Sequence, residues 1–206
     1  MLYDVIFKSG IIGLLLWIIL FLTSTVAMAI AIRCWWLLRR KRFKPEFVNL
    51  LMPYFQAQDW NGAYTKAQQD SSVTARIAFA ILSVAYCKTK AERLEIATAA
   101  LDKEARAVQR QLSSLSTCGN IAPMEGLLGT VTGMVDAFTG LGTAIGPEKA
   151  SILAISISHS LYTTAAGLLI AIPAIILVVF FRNQMERRME ELADAVEKIL
   201  DAIPEA

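Results

Sequence analysis

The sequence predicts an all-α membrane protein with three transmembrane helices, N-terminus outside and C-terminus inside, whose long helices extend into a cytoplasmic helical domain. Three observations lead there. Of the 206 residues, 55% are apolar, and the mean hydropathy of +0.49 is too high for an ordinary soluble domain. The apolar residues gather into three blocks, each long enough to cross a bilayer, because about 20 residues at a 1.5 Å rise span the roughly 30 Å hydrocarbon core. Outside those blocks, apolar residues recur at helical spacing without strand-like alternation.

The net charge of +2 and the lack of a basic stretch interleaved with aromatics argue against nucleic acid as a partner. No Walker loop, CxxC pair or histidine cluster occurs, so neither cofactor nor metal is expected. Cys34, Cys87 and Cys118 are scattered and odd in number, which suits reduced thiols better than a disulfide framework.

Residues 1–9 form a short outer N-terminus, and 10–36 the first transmembrane helix. Ala27-Met28-Ala29 faintly resembles a cleavage site. The run, however, is about twice the usual signal core, and Arg33 with Arg39, Arg40, Lys41, Arg42 and Lys44 follows it as a stop-transfer pattern. These cations belong on the cytoplasmic side, which sets the orientation of the chain.

Residues 37–114 read as a cytoplasmic helical domain. Pro45 opens a helix through Phe55, Asp59 caps one through Gln68, and Ser72 caps one running toward Cys87. Leu94, Thr98, Leu101, Ala105, Val108, Leu112 and Leu115 recur at alternating spacings of four and three, an apolar seam with one polar member. With only Gly119 and Pro123 to bend it, the chain from Lys90 to Leu141 is expected to be one helix of about 75 Å. Its second part, 115–141, is the middle transmembrane helix. A turn at 142–150 leads into the last, 151–181, and residues 182–206 form a cytoplasmic helical tail. Met185, Met189, Leu192, Val196, Ile199 and Ile203 give that tail a second seam, expected to pack on the first.

The middle and last transmembrane helices are not uniformly apolar. Gly126, Thr130, Gly133, Ala137 and Gly140 fall on one face of the middle helix, and Ser156, Ser160, Thr163, Thr164, Gly167, Ala171 and Ala174 on one face of the last. Small residues at Gly126, Gly129, Gly133 and Gly167 suit close helix packing. Hydroxyls near mid-depth, Thr130 and Thr164 among them, can relay a proton, hold a water, or bond to the carbonyl one turn back. A carboxylate in hydrocarbon is costly unless neutral, paired or hydrated. Glu125 is therefore a proton-handling group, or is paired between subunits, or is hydrogen-bonded to Asn120 or His159, of which depth favours Asn120. Asp136, near the outer end, reads as a boundary residue facing water. His159 stands in the outer half, and imidazole is the side chain suited to proton exchange near neutrality.

The strings APMEGLLGTVTGMVDAF (Ala122 to Phe138) and ISHSLYTTAAGLLIAIPA (Ile157 to Ala174) resemble the signature helices of the MotA/TolQ/ExbB proton-channel family, closest to the ExbB/TolQ branch. The resemblance implies a proton-channel stator subunit of an ion-driven motor and no enzyme activity. It also implies a bacterial inner-membrane location, with residues 1–9 and the turn at 142–150 periplasmic. In the family picture the subunit is a homopentamer around two copies of an ExbD-like or TolR-like single-span partner. A TonB-like or TolA-like protein then receives the output, for TonB-dependent transport or for envelope maintenance. A non-conducting membrane scaffold is the alternative from a different class.

By position, the resemblance makes Thr130 and Thr164 the pore threonines, with Thr163, Ser160, His159 and Glu125 as further members of the proton pathway. Two departures stand out. His159 occupies the position where the branch usually has a glutamate, five residues before the second threonine. Glu125 occupies a usually apolar position, and a displaced carboxylate there could replace the lost one. Protons are the simpler ion, since sodium requires more oxygen ligands than one hydroxyl supplies.

Overall fold

The structure is a computed structural model that describes residues 10–84, 89–143 and 148–203, and every described element is a helix. In chain order these are α1 (Gly10–Leu37), α2 (Arg40–Phe43), α3 (Phe47–Gln56), α4 (Trp60–Gln69), α5 (Val73–Leu82), α6 (Lys90–Thr143) and α7 (Glu148–Ala202). The expected outer N-terminus at 1–9, the middle of the turn at 142–150 and Cys87 lie outside the described residues.

Two compact units share the chain. The first holds the residues up to Ile32 together with Ser113–Val179, and the second holds Arg33–Leu112 together with the chain from Phe180 onward. The long helices α6 and α7, of 54 and 55 residues, contribute to both. Lys90 to Leu141 is thus one helix, as its pattern predicted, and Pro123 lies inside it without ending it.

The expectation of three membrane-crossing helices is met only in part. Among the described residues, two helices are long and apolar enough to cross a membrane by composition, α1 over Ile12–Leu37 and α7 over Leu153–Ala202. α6 is not among them. Asn120, Glu125 and Asp136, with the many glycines and hydroxyls from Ser113 to Thr143, dilute its apolar residues. Its length suffices, but its composition does not.

In the second unit, local sequence signals decide where the short helices begin. The Asp59 carboxylate accepts the Gly62 amide at 2.9 Å, and Ser72 Oγ accepts the Ala75 amide at 3.2 Å. Each satisfies a donor that the first helical turn leaves without a partner. α3 starts at Phe47, two residues beyond the expected Pro45, and Glu46 before it makes no side-chain cap. α5 stops at Leu82, short of Cys87.

Phe47, Leu51 and Phe55 of α3, Ala63 and Ala67 of α4, and Ile77, Ala78 and Ile81 of α5 share one core with Leu192, Val196 and Ile199 of α7. The tail seam is therefore buried where its spacing put it, through Leu192, Val196, Ile199 and Ile203. The α6 seam holds only in part. Val108, Leu112 and Leu115 are buried, but Leu94 and Thr98 are exposed, and Arg93 and Ala97 are buried instead. Arg93 and Ala97 stand one turn apart, about 100° round the helix from Leu94 and Thr98, and it is their face that meets the core at this end of α6.

Among the polar ties of this unit, Lys44 Nζ meets Asp70 Oδ2 at 3.0 Å, and Asp70 Oδ1 accepts the Ser72 amide at 2.7 Å. Partial burial pushes the Asp70 carboxyl upward. The hydrogen bonds from Lys44 and Ser72 and the charge of Lys44 outweigh this and hold it below its ordinary value.

Candidate functional site

The candidate site is the glycine-rich contact of α6 with α7 in the first unit, with α1 along one side. The register follows from the shared neighbours. Gly13 and Leu16 of α1 lie beside Gly129–Asp136 of α6 and Ser156–Thr163 of α7. Further along, Thr23 meets Glu125. At the other end, Ala27 and Ala31 lie beside Leu115 and the stretch Leu169–Leu177. Within this unit α1 and α7 thus run in one direction and α6 in the other.

Glycine makes the α6–α7 approach possible. A Cβ on Gly126 would stand 2.9 Å from the Thr163 carbonyl oxygen and 3.0 Å from Thr164 Cα. One on Gly133 would stand 2.7 Å from Ser160 Cβ, and one on Gly167 would stand 2.5 Å from the Ala122 carbonyl oxygen. At Gly129 it would overlap the Thr163 side chain. At Gly126 and Gly167 the obstacle is backbone, so any larger residue would force the helices apart. Of the face expected on α6, Ala137 is also buried; Gly140 is half-buried.

The hydroxyls at this contact spend their hydrogens in two ways. Thr130 Oγ1 donates to Leu127 O at 2.6 Å, Ser160 Oγ to Ile157 O at 2.8 Å, and Thr163 Oγ1 to Ser160 O at 2.7 Å, each on its own helix. Thr132 Oγ1 does the same, 3.0 Å from Leu128 O and 3.1 Å from Gly129 O. Thr163 Oγ1 also reaches across the interface to Gly126 O at 3.4 Å, and Thr164 Oγ1 donates to the same oxygen at 2.9 Å. Of the three options open to these hydroxyls, the bond one turn back is the one Thr130, Ser160 and Thr163 adopt.

Beside the glycine contact is an open cleft of about 320 Å³. Its polar lining comes from Thr132 and Asp136 on α6 and from Ser156, His159, Ser160 and Thr163 on α7. The structure therefore gathers three of the expected pathway residues, His159, Ser160 and Thr163, into one cleft. Thr130, Thr164 and Glu125 do not line it. Asp136, read from sequence as a boundary residue, does.

Glu125 is paired, but not with the residue expected. Its Oε1 accepts the Thr23 hydroxyl of α1 at 2.8 Å, while Oε2 is buried without a hydrogen-bond partner. Asn120 is exposed. Thr23 is the residue that sequence reasoning missed. A hydroxyl in the middle of an otherwise apolar helix, at about the depth of a carboxylate two helices later, was the signal available.

Residues 65–194 match the family described as the MotA/TolQ/ExbB proton channel family. Over 64 residues the chain is 45% identical to the biopolymer transport protein exbB1 of Vibrio cholerae, covering 31% of this chain and 28% of that protein. Over 86 residues it is 38% identical to the putative biopolymer transport protein ExbB-like 2 of Helicobacter pylori, with 42% and 54% covered. It is 36% identical to the Tol-Pal system protein TolQ of Pseudomonas aeruginosa over 104 residues, with 49% and 45% covered. The chain spans between 28% and 54% of the length of these relatives.

Proposed function

The chain belongs to the MotA/TolQ/ExbB proton channel family, and from that premise we propose that it is the proton-conducting stator subunit of an inner-membrane motor, acting with an ExbD-like or TolR-like single-span partner. The observation that carries this reading is the polar cleft of Thr132, Asp136, Ser156, His159, Ser160 and Thr163, set beside two glycine-packed helices whose other faces are apolar. In lipid, such a lining is costly unless it faces water or another protein.

In this reading α6 is the third membrane crossing. Its own composition would not hold it in lipid, and its glycine contacts with α7 and the Glu125 bond to α1 compensate. Arg39, Arg42, Arg182 and Arg187 mark the cytoplasmic side. The end of the unit holding Gly13, Asp136 and Ser156 is then the outer one. Several copies, five in the family picture, surround the partner, and protons pass between subunit and partner to drive force or rotation. The same core serves biopolymer transport of the ExbB kind or envelope maintenance of the TolQ kind.

A second reading, a scaffold whose polar stripes only assemble helices, is favoured by the hydroxyls of Thr130, Ser160 and Thr163, all bonded within their own helices. Proton uptake into vesicles holding the chain with its single-span partner, followed by an internal pH dye, separates the two. Thr164→Ala and Thr163→Ala are expected to lower uptake on the order of a hundredfold while the complex still elutes intact from a sizing column. Uptake unchanged in both variants would leave the scaffold.

A further inference from the structure

The cleft has an acceptor-rich wall, and the arrangement of its donors explains why. Ser160, Thr163 and Thr132 commit their hydroxyl hydrogens to backbone carbonyls. Each hydroxyl has one hydrogen and two lone pairs, so what these side chains have left to offer the cleft is oxygen acceptors. Such a lining stabilises a positively charged occupant and disfavours an anion.

Among the described residues, the titratable groups that line the cleft come from two helices. α6 supplies Asp136, α7 supplies His159, and α1 supplies Gly13 and Leu16, which do not titrate. Glu125 is not in this lining, being held by Thr23. Asp136 lies one helical turn beyond Gly133, which packs directly on Ser160. Asp136 is exposed and His159 half-buried. An exposed carboxylate and a half-buried imidazole thus line one cleft from two facing helices.

We propose that Asp136 and His159 form the proton-loading pair of this cleft, with Asp136 supplying the carboxylate that receives protons from outer water and His159 passing them inward. The proposal rests on the channel reading above and deepens it, naming the point at which the proton enters. A hydronium gives its proton to the Asp136 carboxylate and becomes water. The carboxylic acid then gives that proton to the neutral imidazole, directly or through a water, and is ionised again. His159 releases it to water held by the Ser160 and Thr163 oxygens, so both groups return to their starting states for each proton moved. Because those hydroxyls keep their own hydrogens on carbonyls, the inward carrier is water and not a chain of hydroxyl donors.

The test uses the complex with its single-span partner in vesicles, with uptake driven from the outer face and read by an internal pH dye across external pH. Asp136→Asn keeps the volume and removes the charge, and is expected to lower uptake on the order of a hundredfold. Asp136→Glu is expected to restore most of it. His159→Gln is expected to lower uptake to a similar extent. Replacing sodium by choline is expected to change nothing. If Thr164→Ala abolishes uptake while Asp136→Asn and His159→Gln leave both its rate and its pH profile unaltered, the loading pair is wrong and the channel reading stands. Uptake that requires sodium would also overturn the pair as a proton site. A wild-type complex that takes up no protons would remove the channel reading itself.

Discussion

The two units of this chain solve opposite packing problems with the same two helices. In the second unit the interior is large and apolar, built from Phe47, Leu51, Phe55, Ile77, Ile81, Leu192 and Ile199. In the first, the interior of the α6–α7 contact is small: Gly126, Gly129, Ala122, Ala137, Ser160, Thr163 and Gly167 are buried there, while Phe21, Leu127, Phe138, Leu161, Leu169 and Ile176 are exposed. Large apolar side chains inside and charge outside is the solution for water. Backbones brought together by small residues, with the large side chains turned outward, is the solution for a solvent as apolar as leucine. The first unit thus has the packing that suits an apolar solvent, and it has it even where α6 lacks the apolarity of α1 and α7.

This contrast can be broken from either side. The largest effect is expected in the second unit: Ile199→Ala deletes a fully buried side chain and should cost about 2–5 kcal/mol, seen as a lower thermal midpoint in detergent. In the first unit the damaging change is the opposite one, addition. Gly167→Ala places a methyl 2.5 Å from the Ala122 carbonyl and should cost about 1–3 kcal/mol through separation of the helices. Cross-linking between cysteines placed on α6 and α7 reads that separation. If Gly167→Ala proved neutral, close backbone approach would not be what holds this unit together.

Smaller effects sharpen the picture of the second unit. Ser72→Ala removes the oxygen that accepts the Ala75 amide and should cost about 1 kcal/mol, with Ser72→Gly milder. The smallest is a pH effect at Asp70. Its folded carboxyl is held low by Lys44 and Ser72, so its contribution is present above the unfolded-state value, about 3.9. It is lost as pH falls through the lower folded one. The midpoint difference between wild type and Asp70→Asn should therefore be small at neutral pH and close on acidification. A gap that widened in acid would contradict the sign.

What the sequence made legible was local or periodic. Asp59 and Ser72 are caps because each needs only an amide three residues on, and Leu192, Val196, Ile199 and Ile203 form a seam because their spacing is uniform. Across 54 residues of α6 nothing strong enough to stop a helix occurs, and Pro123 lies within it. Less legible was whatever depended on rotation or on distant partners. Arg93 is buried in place of Leu94 although Leu94 keeps the spacing of the seam, because the rotation of α6 at that end is set by the elements packed on it and not by its own repeat. The bond of Glu125 to Thr23 joins residues 102 apart, and α1 could be read only for its hydropathy. Asp136 looked terminal along the chain, yet the register set at Gly133 and Ser160 brings it to the cleft.

The channel reading has one direct test. Vesicles containing the wild-type chain and its single-span partner, in sodium-free buffer, are given an inward-directed proton gradient with a permissive membrane potential, and internal pH is followed. Acidification faster than in protein-free vesicles, unchanged when sodium is added back, is the predicted result. Acidification no faster than in protein-free vesicles, from a complex that is assembled and folded, would contradict it.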